Sequence, residues 1–338
     1  MRAKGIIAVF AAVAASLAVI ILGIAAGSVF VSPGQILRIF GNRLFGIPLG
    51  NVPPAYESII MEIRFPRVVM GFLTGAALSL CGVTVQSVLR NPLASPFTLG
   101  VSSGASLGAG LVIALELYFL GQFTLPAAGL VFGVATMFLM VVFAAKIDPT
   151  LQGSTIILTG MVISLFVNGI VTLMANMKGD KYQQIMRWQT GTFSGRNWGQ
   201  TVILAVVSGV CFVYMLIRSR EMDLLTFGDE QAASAGLDTR RAKASLMIVT
   251  AILAGTAVSF AGVIGFVDLI APHIARKLFG AKHRLLLPMA AVLGGIFMVL
   301  CDLAARTVIS PNELPVGVVT SLLGAPFFAW VFFSRRKR

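Results

Sequence analysis

Ten apolar runs, most of them near twenty residues long, recur along this 338-residue chain and leave little room between them for anything else. A helix of that length rises 1.5 Å per residue and crosses about 30 Å of hydrocarbon. Lipid offers no partner to an unpaired backbone N–H or C=O, so only helices and closed barrels span a bilayer. A barrel would read as ten-residue segments of alternating polarity, and these runs do not alternate. The expectation is an all-α polytopic membrane protein forming one transmembrane domain over residues 1–338. Composition agrees, with 57% of residues hydrophobic and 12% charged, against about 25% charged in a soluble domain.

Bounded by proline, glycine and charge, the spans fall at roughly 6–30, 66–89, 97–118, 124–145, 153–175, 199–217, 243–263, 266–279, 285–305 and 315–333. The run 266–279 is short and carries Asp268, Pro272 and His273. It is counted because without it the total is odd and the two basic ends of the chain fall on opposite sides. With both termini cytoplasmic, 17 of the 26 Lys and Arg lie inside and 9 outside, the direction of the positive-inside rule. This implies a cytoplasmic (inner) membrane location. The apolar stretch behind Arg2 and Lys4 is about twice the length of a signal-peptide core and reads as a retained first span.

The net charge of +13 has the same origin, so no nucleic-acid partner is inferred. Cys81, Cys211 and Cys301 are scattered through apolar runs with no CxxC neighbour, which argues against disulfides and zinc. No metal and no catalytic residue is assigned. The chain has no GxxxxGK[ST] loop, so ATP and Mg belong on another polypeptide and no cofactor is assigned to this one. Small residues four apart, Gly71 with Gly75, Gly100 with Gly104, Gly104 with Gly108 and Gly129 with Gly133, mark helices that pack closely in lipid.

Four separated motifs carry more specific information. The first runs Arg64-Phe65-Pro66-Arg67, then Arg90-Asn91-Pro92-Leu93-Ala94-Ser95-Pro96 and Gly100-Val101-Ser102-Ser103-Gly104. The second lies in the segment 218–243, where Thr226 to Leu237 reads as one short helix. Thr226 with Asp229 matches a capping box, Ala232 and Ala233 propagate the helix, and Gly236 fits a C-terminal cap. The third spans Gly262 to Arg276 and continues to His283-Arg284; the fourth comprises Asp302 to Arg306, Glu313-Leu314-Pro315 and Gly324-Ala325-Pro326. Asp268 opens the eighth helix and reads as a cap on free N–H groups, with a charge in a translocation pathway as the alternative. His273 reads as a packed, hydrogen-bonded histidine, because no second ligand lies at metal-binding spacing.

In this order the motifs resemble the FecCD or BtuC family, the membrane permeases of binding-protein-dependent ABC importers for iron-siderophores, haem and vitamin B12. The resemblance covers nearly the whole chain; the loops 47–59 and 176–198 match nothing in it, and Asp268 stands where the family usually has glycine. It implies a BtuC-like type II importer fold and a second permease copy, in a homodimer or close heterodimer. Two ATP-binding subunits and an extracytoplasmic substrate-binding protein complete the implied assembly. The coupling helix, which sits in a groove of the ATPase, falls on Gly228, Asp229, Glu230, Ala232, Ala233 and Gly236. Arg64, Arg67 and Arg306 match arginines that meet carboxylates of the binding protein. Asn91, Pro92, Pro96, Gly100, Ser102, Ser103, Gly104, Asp268, Pro272 and His273 become candidates for the pathway or its framework. The Ser95–Gly100 wording is nearer to siderophore members, with haem or vitamin B12 as alternatives. An ion-coupled secondary transporter would show several intramembrane carboxylates, and a channel would need no coupling loop.

Overall fold

The computed structural model describes residues 3–27, 31–50, 52–177, 179 and 181–335. The basic ends assigned to the cytoplasm, Arg2 and Arg336 to Arg338, lie outside the described residues. All regular structure among those described is helical. In chain order the first five helices are α1 (Ala3–Ala25), α2 (Pro33–Phe45), α3 (Pro54–Ser58), α4 (Phe65–Val88) and α5 (Val101–Leu115). Next come α6 (Thr124–Ile147), α7 (Gly153–Met177), α8 (Tyr182–Gln189), α9 (Trp198–Ile217) and α10 (Ser219–Thr226). The last five are α11 (Asp229–Ser234), α12 (Thr239–Ala261), α13 (Val267–Phe279), α14 (His283–Thr307) and α15 (Val316–Arg335).

All ten apolar runs are helical, but they are not equal. Seven helices among the described residues are long and apolar enough to cross a membrane: α1, the stretch Pro54–Val88, α6, α7, α9, α12 and α14. A π turn, Ile59–Arg64, joins α3 to α4, so that Pro54–Val88 runs on for 35 residues. The apolar parts of α5 and α15 are shorter. At 13 residues, α13 reaches only about 20 Å.

Burial sorts these helices into a centre and a rim. The apolar stretches of α4 and α12 are 83% and 72% buried, those of α1 and α7 only 17% and 22%. Two close crossings set the centre. A Cβ on Gly75 would stand 2.1 Å from the carbonyl oxygen of Gly294, which brings the backbones of α4 and α14 together. On Gly104 and Gly108 it would stand 2.5 Å from Phe132 O and 2.4 Å from Ala128 O, which seats α5 on α6. Close backbone approach is what small residues provide where lipid removes the hydrophobic drive between helices. Gly71, paired with Gly75 by spacing, meets only the Phe193 ring at ordinary contact distance.

Besides the short α3, two helices stand in stretches expected to be loops. Ser32 accepts from Gln35 N and the Gln35 side chain accepts from Ser32 N, a complete capping box, with Pro33 in the first turn and a left-handed Gly46 closing α2. The second is α8. The segment behind it ties three elements together: Thr192 N donates to Ala261 O at the end of α12, and Val316 N and Gly317 N of α15 donate to Gly191 O and Thr190 O.

Candidate functional site

Three arginines converge at one end of the bundle. Arg67 grips Asp302 through Nη2 and Nε at 2.8–3.2 Å and places Nη1 2.8 Å from Glu313 Oε1. Arg306, one turn beyond Asp302 on α14, pairs with its Oδ2 at 3.5 Å and also donates to Gly23 O. Arg64 donates through Nη1 to Ile24 O and Ala25 O at 3.1 and 3.0 Å, at the C-terminal end of α1, where Ala25 O also accepts from Val31 N. These are the arginines expected to meet carboxylates of a binding protein, a role that calls for exposed side chains. Arg64, Arg67 and Arg306 are 5%, 7% and 7% exposed, and their guanidinium groups are committed inside the chain. A buried charge is tolerated only when paired, and Asp302, itself 1% exposed, supplies the pairing for Arg67 and Arg306.

The opposite end carries the two short helices α10 and α11. They replace the single helix expected over 226–237. Gly228 has φ 119°, a conformation L side chains rarely adopt, and it breaks the helix after Phe227. The capping box does not form: Thr226 ends α10 and its hydroxyl donates to Asp223 O at 2.6 Å. Asp229 instead accepts from Lys243 Nζ at 2.7 Å, with Arg90 at 3.8 Å, and so ties α11 to α12. The C-terminal cap does form, with Gly236 at φ 87° and Leu237 N bonded to Ala232 O at 3.0 Å. Ala232, read as a contact residue, is fully buried within its own chain. The outward face consists of Thr226, Phe227, Glu230, Gln231, Ala233, Ser234, Ala235 and Gly236, with Phe227 74% exposed.

Between the two ends, Asp268 is fully buried in the first turn of α13. It does not stand at the N-cap, which Phe266 holds without a side-chain hydrogen bond. Its Oδ2 accepts from Ser95 Oγ, which fastens the loop after α4 to α13. Its own backbone carbonyl accepts from Gln86 Nε2 at 3.1 Å, and α4 passes so close that a Cβ on Gly82 would lie 1.8 Å from the same oxygen. The loop is built locally. Asn91 Oδ1 accepts from Leu93 N, Thr98 Oγ1 donates to Ser95 O, and Gly100 caps α5 while accepting from Ser103 Oγ. Pro96 and Pro272 are buried, Ser102 is half-buried and Pro92 exposed. His273 is half-buried with its ring edge-on to Phe327 at 6.2 Å. Among the described residues no three His, Cys, Asp or Glu are placed to hold a metal.

Sequence reading named Asp268 and Ser95 but not their mutual bond, and it passed over Asp223, Gln86, Lys243 and Arg276. The four-residue spacing of Asp302 and Arg306 was a legible sign of an internal pair.

Comparison with known proteins follows the same lines. The model of the FecCD transport family matches residues 15–334. The chain belongs to the FecCD transport family. This FecCD permease is 40% identical over 320 residues to the uncharacterised ABC transporter permease YvrB of Bacillus subtilis strain 168, covering 94% of this chain and 91% of the relative. It is 36% identical to the cobalamin import permease BtuC of Halobacterium salinarum, covering 85% and 77% of the two chains. The hemin transport permease HmuU of Yersinia pestis is 34% identical, with 84% and 86% covered. A solved structure described as the inward-facing conformation of a metal-chelate type ABC transporter superposes with a TM-score of 0.84 at 28% identity, covering 96% of this chain and 98% of that one. The protein is thus a multi-pass membrane permease of the ABC importer class, a transport subunit rather than an enzyme.

Proposed function

We propose that this permease carries a ferric chelate across the cytoplasmic membrane, as one of two permease copies around a central pathway. In this reading ten helices span the bilayer with both termini cytoplasmic. ATP is hydrolysed on two separate subunits below, and a substrate-binding protein delivers the cargo from above. The observation that carries the reading is the elbow of α10 and α11. It presents an apolar Phe227 and a small Ala233 outward, while Ala232 and the Asp229–Lys243 pair brace it from behind. A short rigid helix with small residues on its outer side suits burial in another protein's groove, as the FecCD resemblance implies for this segment.

Ala233→Arg tests this directly. The side chain is exposed, so folding should be unaffected, while a bulky cation inside a close-packed interface should abolish capture of the ATPase subunit and uptake with it. Undiminished capture in a pull-down from membranes would remove the assignment. The cargo is supported by the metal-chelate structural neighbour and by relatives named for Fe(3+)-citrate and iron(3+)-hydroxamate import in Bacillus subtilis. Cobalamin, named for the Halobacterium relative, is the second reading. Uptake of labelled ferric citrate, ferric hydroxamate and cobalamin by vesicles holding the complete transporter decides between them.

A further inference from the structure

The elbow lies at one end of the molecule and the Asp268–Ser95 contact deeper within it, and a run of polar groups, partly exposed at Asp223 and buried beyond it, joins the two. Asp223, on α10, accepts from the backbone N–H of His283 at 3.0 Å and faces the His283 ring at 2.6 Å from Nδ1. It therefore caps α14 from a different helix, where an anion is favoured at the N-terminus. On the far side of the ring, Nε2 lies 2.6 Å from Ser87 Oγ on α4. The next residue, Gln86, donates to Asp268 O and accepts from Arg276, both on α13. Asp268 in turn holds Ser95 in the loop that leads into α5.

The order Asp–His–Ser is that of a hydrolytic triad, but His283 and Ser87 are 2% and 3% exposed, so no acyl substrate reaches the hydroxyl. The proton count shows what the three groups do instead. The single hydroxyl hydrogen of Ser87 has two acceptors in reach, Val83 O at 2.8 Å and His283 Nε2. If it goes to Val83 O, then Nε2 donates to Ser87 and Nδ1 donates to the carboxylate. If it goes to Nε2, the ring is neutral and Nδ1–H still points at Asp223. Either way the three side chains are joined head to tail, with every group in the line bonded.

We propose that Asp223, His283 and Ser87 form a polar strut that passes displacement of α10 into α4 and, through Gln86, into α13 and the 91–100 loop. The proposal rests on the coupling reading above and assigns these residues a positioning role between ATP hydrolysis and the pathway. A hydrogen-bonded line that is buried from His283 inward, with Asp223 at its partly exposed end, suits this better than apolar packing does, because its members have fixed directions and a costly broken state.

The test uses the complete transporter, with ATPase and binding protein, in vesicles. The readout is substrate moved per ATP hydrolysed, which a purely structural role would not shift in folded, assembled protein. His283→Gln, Asp223→Ala and Ser87→Ala should each retain ATP hydrolysis within about two-fold and lower the ratio by about ten-fold. The exchange Asp223→His with His283→Asp keeps a hydrogen-bonded pair in place and should recover at least a third of the ratio. An unchanged ratio in the single variants overturns the strut. So does an exchange variant no better than the singles, and so does parallel loss of transport, hydrolysis and assembly, which would mark a folding element. Failure of the unaltered chain to bind an ATPase subunit would sink the coupling reading itself, a distinct result.

Discussion

Asp302 and Asp229 sit at opposite ends of the bundle, and each answers a cation from another helix. Asp302 is 1% exposed and serves two arginines, themselves almost fully enclosed. Asp229 is 28% exposed, and its partner Lys243 also donates to Leu151 O at 3.2 Å, so the lysine has a second anchor. The first end locks α1, α4 and α14 together through charge. The second fixes only the rear of a surface elbow and leaves its front open. Charge that counts as surface in the sequence is therefore interior at one end, while an alanine that counts as interface is interior at the other.

The contrast can be broken by removing carboxylates. Asp302→Ala leaves Arg67 with Glu313 alone and takes from Arg306 the carboxylate it pairs with, a loss of about 3–5 kcal/mol. The thermal midpoint in detergent should fall by about 10 °C; a fall below 2 °C would mean that water reaches these arginines and the end is not sealed. Asp229→Asn should cost less, about 1–3 kcal/mol, because Lys243 keeps the Leu151 carbonyl, and ATPase capture should weaken as α11 loosens. A larger loss than for Asp302→Ala would reverse the comparison. Glu313→Gln is the smallest change. The carboxylate is 40% exposed, so its pair with Arg67 contributes about 0–1 kcal/mol, and the midpoint should move by no more than 2 °C. A greater shift would extend the sealed cluster to the loop before α15.

Much of this architecture was legible. The apolar runs located the helices because a membrane helix must be apolar along its length, and α13 came within a residue of its expected bounds. What hydropathy could not give is which side of a residue faces protein. Arg64 and Arg67 were read as facing outward because their partners, the carbonyls of α1 and Asp302, are distant in sequence and meet them only after packing; Arg306 had Asp302 one turn before it, the one legible clue to burial. The elbow was read as one helix because alanines and a glycine cap fit α11 well. The sign that was missed is Gly228, whose backbone can take the positive φ that ends α10. In the same way Ser32, Pro33, Gln35 and Gly46 spelled out α2 in full, within a stretch too polar to be read as a span.

Ribosomal synthesis gives the Arg67–Asp302 pair an order in time. The two residues are 235 positions apart, so at about 5–20 residues per second the arginine is made roughly 10–50 s before its carboxylate exists. During that interval Arg67 has neither Asp302 nor Glu313 to pair with, and a long cationic side chain in that position reaches for the headgroup layer. The pair can close only once α14 has been made, and the bond from Arg306 to Gly23 O then joins that late helix to α1.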